Sequence, residues 1–503
     1  MVLFLSGIAI LGILGHLYGK YCERVFGPDD RPTPAITEAD GVDFVGMKKH
    51  KNQLIELLNI AGTGPILGPI QGILFGPIAF ITIPLGCVIA GGMHDYFVGM
   101  ISMRNKGAQM PKMVNKYIGK GTNLVYNIVN WALLLLVGVV FIYTPGDLIV
   151  KDLLGMDVNS NVIYIVYAVI ILYYILATLF PIDKIIGKIY PFFGALLLIS
   201  AVGIFAGLLL TGSADLHNIT EGAFVSEHPL GARFLPVFFI TVSCGLMSGF
   251  HGSQVTLISR TVTDEREGRE TFFNMMLLEG FIAMCWAAGA MVVYNTIASQ
   301  GVNTPATLMV GEISRRFMGN IGGLFAIAAV IILPITSGDT AFRSLRLMVA
   351  EQFNIDQSKP QKRVMLSLAI FAPAVAILVF AKADANGFSL LWRYFGFANQ
   401  FTAVFAMLLA AVYLKIHGKN YYIALIPGAF YAFIVSSYIM NADIGFRLDK
   451  LLGVGNYVAS YAVGAAFAIF FIWFVSKVSV DNKDRIIKED EALTKYVMSK
   501  KKK

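Results

Sequence analysis

Residues Ile60-Ala61-Gly62-Thr63-Gly64-Pro65-Ile66-Leu67-Gly68-Pro69 interrupt an apolar run with three glycines and two prolines. Hydropathy asks for a transmembrane helix here, yet this composition breaks one. In lipid every backbone N–H and C=O must be satisfied within the protein, so unwound backbone persists only where it is buried in protein or lines a polar cavity. The segment predicts a helix that opens at membrane depth around a binding site.

The rest of the chain supplies the membrane context. Of 503 residues, 56% are hydrophobic and 14% charged, with a mean hydropathy of +0.67. A hydrocarbon core of about 30 Å takes roughly 20 apolar residues per helical span, which gives about thirteen spans. They begin near Val2, Leu54, Gly76, Asn123, Asn161, Tyr190, Phe234, Phe272, Ile321, Val364, Leu391, Tyr421 and Tyr457. Barrel strands would instead alternate over about 10 residues. The fold class is an all-α integral membrane protein.

Val2 to Tyr18 reads as a retained helix, because no basic segment opens it and no small-residue cleavage site precedes Lys20. The net charge of +8 reflects topology rather than nucleic-acid binding. About 32 of the 40 Lys and Arg fall on one side. That side holds the loops Lys20–Lys51, Arg104–Lys120 and Arg343–Arg363 and the tail ending Lys500–Lys503. The bias puts the N-terminus outside and the C-terminus in the cytoplasm. Cys22, Cys87, Cys244 and Cys285 lack metal-type or CxxC spacing and read as packing residues. Polar connections are expected over Lys20–Gln53, Gly212–Ala232 and Ser299–Asn320. Within the last, the spacing of Leu308, Val310, Ile313 and Phe317 predicts a short helix from Pro305 to Met318 lying along the outer surface, as a lid or as a plain interfacial helix.

A second interruption, Ser243-Cys244-Gly245-Leu246-Met247-Ser248-Gly249-Phe250-His251-Gly252-Ser253-Gln254, again mixes glycines with hydroxyl and amide groups. If the span from Leu54 is helix one, this break falls in helix six, and an odd offset of five inverts the second unit relative to the first. Paired discontinuous helices at corresponding positions form the midplane site of many secondary transporters. The competing explanation is close helix packing through small residues. The spacing divides the chain into an extra N-terminal helix and loop (1–53), a first five-helix unit (54–211), a second (212–415), and two C-terminal helices with a basic tail (416–503).

Pro65 suits the first turn of a new half-helix, whose free amides and dipole attract anions. A substrate carboxylate is the natural ligand. Ala61, Gly62, Thr63, Gly64 and Pro65, with Ser248, Gly249, His251 and Gln254 from the second break, form the expected substrate site. Thr336, Ser337 and Thr340 surround Asp339 with oxygens that suit a cation, and in helix eight they can meet carbonyls near Ala61 and Gly64. Ala61, Gly64, Ser337, Asp339 and Thr340 are thus the expected coupling-ion residues. Ionisable groups in a span are costly and usually face an interior path or a partner, which makes His94, Asp95, His251, Glu279 and Arg343 candidates for a proton relay or buried ion pairs. Adjacent residues on a helix point about 100° apart, so His94 and Asp95 are expected to face different neighbours. Asp339 and Arg343, one turn apart, also suit an intrahelical pair.

No Walker loop, GxSxG elbow, HExxH or bis-histidine haem pattern occurs. Neither an enzyme, a cofactor nor a metal centre is expected.

The motifs Asp40-Gly41-Val42-Asp43-Phe44-Val45, Ile60 to Pro69, Gly92-Met93-His94-Asp95-Tyr96, Ser248 to Gln254 and Trp392-Arg393-Tyr394-Phe395-Gly396, preceded by Thr33-Pro34-Ala35, resemble the carbon starvation protein A (CstA) family. The resemblance runs over most of the chain. It implies a bacterial inner-membrane transporter linked to carbon starvation and to uptake of peptides and pyruvate. It also implies a LeuT-like core of five plus five helices, as in the amino acid, polyamine and organocation superfamily. A sodium-type site at Ala61, Gly64, Ser337 and Thr340, or a titrating group such as His251 or Arg343 in its place, follows from the same likeness. The expected function is secondary active import of a small carboxylate-bearing nutrient by alternating access, driven by a proton or sodium gradient. A channel or a non-transporting membrane subunit is the alternative.

Overall fold

The computed structural model describes residues 1–500 apart from 42, 180–182, 212–215, 217–223, 226–227, 230, 300–304 and 357–359. Most of the connection expected over Gly212–Ala232, part of that over Ser299–Asn320, and Lys501–Lys503 therefore lie outside the described residues. The described residues form helices and no strand. Ten of these helices are long and apolar enough to cross a membrane, or eleven when the bent pair below counts as one.

The helix α1 (Val2–Phe26) runs beyond the expected end at Tyr18, and a short α2 (Pro34–Thr37) follows. The bent pair comprises α3 (Lys49–Ile60) and α4 (Gly64–Phe75), inclined by 50°. Next come α5 (Ala79–Arg104), α6 (Met110–Tyr117), α7 (Lys120–Leu153), α8 (Val162–Leu179) and α9 (Asp183–Thr211). A π turn, Phe234–Phe238, leads into α10 (Phe239–Thr241), which is separated by an unwound stretch from α11 (Gly249–Ile258). The second half continues with α12 (Asn274–Ser299), α13 (Ala306–Gln352), α14 (Pro360–Ala383), α15 (Gly387–Ile416), α16 (Tyr422–Asn441), the short α17 (Leu448–Leu451) and α18 (Val458–Lys500).

The most buried spans, α5, α12 and α15, surround the two breaks, whereas α1, α14 and α18 expose most of their apolar surface. That gradient is what lipid demands: peripheral helices present apolar side chains outward, and polar groups collect in the bundle. All four cysteines are free and buried, as expected. Gly319, at φ 68° and ψ −175°, breaks the helical path of α13 and separates its first three turns from the rest. Those turns coincide with the expected lid helix. Met309, Val310 and Ile313 are buried, and Arg315 is 2.6 Å from Asp152 at the end of α7.

The charged loops gather at one end of the bundle. Arg104 donates from Nε and Nη2 to Glu265 at 2.8 and 2.9 Å, and the Asp29 amide donates to the same carboxylate at 2.8 Å. Asp490 on α18 accepts from Tyr117 and lies 3.1 Å from His417 Nε2. Lys419 rests over the Phe26 ring and donates to the Phe26 carbonyl. Burial, with Arg104 nearby, lowers its pKa to about 8.

Candidate functional site

The two breaks are shorter than their sequence signatures. In the first, only Ala61–Thr63 leaves the helix; Gly64 already begins α4, and Pro65 sits in its first turn. In the second, Val242–Ser248 is unwound, while Gly249–Gln254 forms the first turns of α11. Helix resumes because Gly249 fits directly against the Asn399 carbonyl and Thr402 on α15, where a larger residue would collide. Ile60–Pro65 and Ser243–Gly252 are buried throughout.

The breaks touch. A Cβ on Gly64 would overlap Cys244 Sγ, and Gly245, at φ 83°, lies beside Pro65 and Ala283. Glycine serves at both positions for distinct reasons: close approach at Gly64, and the left-handed backbone conformation at Gly245.

Three side chains of α15 brace the second break. Trp392 Nε1 donates to the Thr241 carbonyl at 3.2 Å. Gln400 Nε2 donates to the carbonyls of Phe239 and Met247 at 2.9 and 3.2 Å. Asn399 Oδ1 accepts from the Phe250 amide at 2.8 Å and from Ser248 Oγ at 3.1 Å. Asn399 thus caps α11 from another helix and meets one of the terminal amide demands that every helix carries. The start of α4 has no side-chain cap, and Thr63 Oγ1 is buried without a hydrogen-bond partner among the described residues.

Below the second break lies a closed polar cluster. Asp95 on α5 is fully buried, with Oδ1 2.7 Å from His94 Nδ1 and Oδ2 3.0 Å from His251 Nδ1. An ionised carboxylate only accepts, so toward an ionised Asp95 each imidazole donates from Nδ1. His251 Nε2 faces Glu279 Oε2 on α12 at 3.5 Å, and both side chains are completely buried. The expected separation of His94 from Asp95 is not seen: the imidazole turns back to its neighbour's carboxylate. Glu279, isolated in the sequence, finds its partner in His251 on α11.

Glu56 on α3 joins this cluster. It is fully buried, neither carboxylate oxygen has a hydrogen-bond partner among the described residues, and the charges of Asp95, His251 and Glu279 act on it. In the sequence Glu56 lies near the polar start of a span, where Lys49, Asn52, Gln53 and Glu56 mark one helical stripe.

The oxygen-rich turn of α13 makes its hydrogen bonds within its own helix. Thr336 Oγ1 donates to the Leu333 carbonyl at 2.8 Å, Thr340 Oγ1 to the Thr336 carbonyl at 3.4 Å, and Arg343 is 3.6 Å from Asp339 as an i,i+4 pair. Ser337 is buried. Phe141 on α7 stands between this turn and the first break, touching the positions a Cβ would take on both Gly62 and Gly338. Gln254 Nε2 donates to its neighbour Ser253 Oγ at 3.0 Å.

At the opposite end from the charged loops, α7 carries a second buried pair. Lys382 Nζ is 2.7 Å from Asp147 Oδ1, with both side chains at least nine-tenths buried, and Thr307 Oγ1 donates to Asp147 Oδ2 at 3.1 Å. These contacts join α7, α13 and α14. The lysine lies at the end of an apolar run and gives no sign there of a partner more than 200 residues away.

A family model described as carbon starvation protein CstA matches residues 1–169, 142–317 and 306–437. An uncharacterized membrane protein of Haemophilus influenzae is 40% identical over 341 residues, covering 59% of this chain and 92% of its own. The peptide transporter CstA of Bacillus subtilis is 24% identical over 567 residues, covering 92% and 93%. The pyruvate/proton symporter BtsT of Escherichia coli is 27% identical over 354 residues, covering 57% of this chain and 48% of that one. Among solved structures, the Eremococcus coleocola manganese transporter superposes with a TM-score of 0.52 at 10% identity, covering 86% of this chain and 95% of its own. That last likeness is one of fold.

Proposed function

The chain belongs to the CstA family, and we propose that it is a secondary active transporter that imports a small carboxylate-bearing nutrient, pyruvate or a short peptide, by alternating access. The observation that carries this reading is the contact between the two breaks, Gly64 against Cys244, with every residue around it buried. Two interrupted helices that meet at depth are the site architecture of secondary transporters. The uncapped start of α4 offers a positive dipole end to an anion, and Ser248, Gly249, His251 and Gln254 come from the facing break. The names of the Bacillus and Escherichia relatives, a peptide transporter and a pyruvate/proton symporter, support the same two cargoes.

We read the coupling ion as a proton. His251 connects the break to Asp95 and Glu279 within a closed cluster, and histidine is the side chain whose charge changes most readily near neutral pH. The sodium alternative would need Ala61, Gly64, Ser337, Asp339 and Thr340 to converge, and the Phe141 ring stands on that path.

In this reading the bent pair, α8 and the interrupted Phe234–Ile258 stretch each count as a crossing, giving about thirteen with the long helices. The units 54–211 and 212–415 form an inverted five-plus-five repeat, flanked by 1–53 and 416–503. The charged end faces the cytoplasm, where the positive-inside bias puts it, in a bacterial inner membrane of a cell short of carbon. Asp147–Lys382 and Asp152–Arg315 then close the outer side.

The test is counterflow in proteoliposomes preloaded with pyruvate or a dipeptide. Accelerated exchange of labelled substrate, enhanced by an inward proton gradient, is expected. Folded protein that exchanges neither substrate refutes the assignment.

A further inference from the structure

Glu56 raises a problem that the transport scheme above leaves open. Asp95 uses both oxygens on imidazole N–H groups, and Glu279, whose oxygens also have no hydrogen-bond partner among the described residues, faces the His251 Nε2 atom at 3.5 Å. Glu56, equally buried, has neither oxygen satisfied and no ion-pair partner among the described residues. An isolated ionised carboxylate in such surroundings is very costly, whereas the neutral acid is tolerable. A charge count says the same. The cluster holds three carboxylates, Glu56, Asp95 and Glu279, and two imidazoles, His94 and His251. Even with both imidazoles protonated, it stays one positive charge short.

The path from Glu56 to water is marked. Lys49, Asn52, Gln53 and Glu56 share one stripe of α3 at spacings of three and four residues. Lys49 pairs with Glu270 at the surface. Asn52 and Thr261 clasp each other: Thr261 Oγ1 donates to Asn52 Oδ1 at 2.7 Å, and Asn52 Nδ2 donates to the Thr261 carbonyl at 3.2 Å. One helical turn further in lies Glu56. Separating α3 from the segment after α11 would remove this clasp and open Glu56 to the charged end of the bundle.

From these observations, and resting on the proton-coupled reading above, we propose that Glu56 is the carboxylate on which the coupling proton resides before its release at that end. A proton taken from water makes Glu56 a neutral acid and completes the charge of the cluster. When the Asn52–Thr261 clasp opens, the acid returns that proton to water and the anion becomes hydrated. The charged and titratable groups packed around α3 are His251 on α11, Glu279 on α12, His94 and Asp95 on α5, Arg269 and Glu270 ahead of α12, and Asp339 and Arg343 on α13. Arg269 is held by Glu23 and Glu270 by Lys49, and Asp339 pairs with Arg343. Of the two imidazoles, His94 is held by Asp95, and His251 is the one that acts on Glu56.

The test uses the full chain in proteoliposomes, with pyruvate and a dipeptide as probes. Glu56→Gln is expected to lose pH-driven accumulation of both by at least about tenfold while keeping counterflow within about twofold. Glu56→Asp should recover part of the accumulation. Native-level accumulation by Glu56→Gln overturns the proposal. So does a loss confined to the dipeptide, which would make Glu56 a ligand for the substrate ammonium. The broader proton reading fails separately, if His251→Gln and Glu56→Gln both transport normally and a sodium gradient drives uptake. If Glu56→Gln does not fold, the native protein decides. A hydrophobic carbodiimide, which adds to protonated carboxyls, should label Glu56 more at about pH 6 than at about pH 8. Glu56 left unlabelled while other carboxyls react overturns the proposal.

Discussion

His251 Nδ1 and Asp95 Oδ2 meet at 3.0 Å between α11 and α5, with both side chains fully buried. This bond ties the half-helix after the second break to a helix of the first half. Asp95→Asn removes the charge, keeps one acceptor oxygen and sets an amide NH2 against the other imidazole N–H in a dry site. Breaking a buried ionic pair costs about 3–5 kcal/mol, so the melting temperature in detergent should fall by several degrees. An unchanged melting temperature would show that the bond holds nothing in place.

Gly64 has no room for a side chain because Cys244 lies against it. Gly64→Leu should insert in the membrane yet abolish uptake, and normal uptake by a correctly inserted variant would refute the site. Gly64→Ala should be milder, and adding Cys244→Gly should restore part of its transport by returning the lost space. If the second change brings no recovery, the contact between the breaks is not what limits function.

Asn399 caps α11 from α15 through the Phe250 amide. Asn399→Leu removes that acceptor and should destabilise the break by about 1–2 kcal/mol, with a larger loss of substrate affinity than of membrane insertion. Asn399→Asp keeps an acceptor and should retain more binding. Equal binding by the two variants, read by thermal shift with pyruvate or a dipeptide, would contradict a capping role.

Lys382 and Asp147 form a buried pair at 2.7 Å. Lys382→Met strands the Asp147 charge and should cost about 3–5 kcal/mol, whereas the double change with Asp147→Leu should recover most of it, since apolar replacement of both partners is often near neutral. A double-mutant cycle checks this. Independent, additive losses would mean the two charges do not act together.

Lys419 has its pKa lowered from 10.5 to about 8 by burial. Below about pH 8 both folded and unfolded chains hold this proton, and the folded state bears the full cost of the buried charge. Between about pH 8 and about pH 10 the unfolded chain binds more protons, so this group makes stability rise with pH. Lys419→Met should abolish that rise. Thermal melts of both proteins across this range settle the point, and parallel curves would count against it.

The breaks are legible in the sequence because glycine and proline inside an apolar run contradict a continuous helix. Their true extent is not, since whether Gly249 starts a helix depends on the surface of α15 against it. His94, Asp95, His251 and Glu279 are each visible as ionisable groups in spans, but periodicity says nothing about partners on other helices. It even misled at His94, where a flexible side chain overrides the angle between neighbouring Cα–Cβ bonds. Glu56 and Lys382 escape notice for a shared reason. Each lies near the end of an apolar stretch, where charge is ordinary, and only packing shows that it is buried. Asn399 and Gln400 act on backbone groups of another helix, a role without a local pattern.

The cap supplied by Asn399 makes the two interrupted helices unequal. One end is already occupied by the protein's own amide oxygen; the other has no side-chain cap and, in the proposed reading, is the end that takes cargo. A molecule with two carboxylates gains no second berth here, so monoanions and zwitterions should outcompete dicarboxylates of similar size.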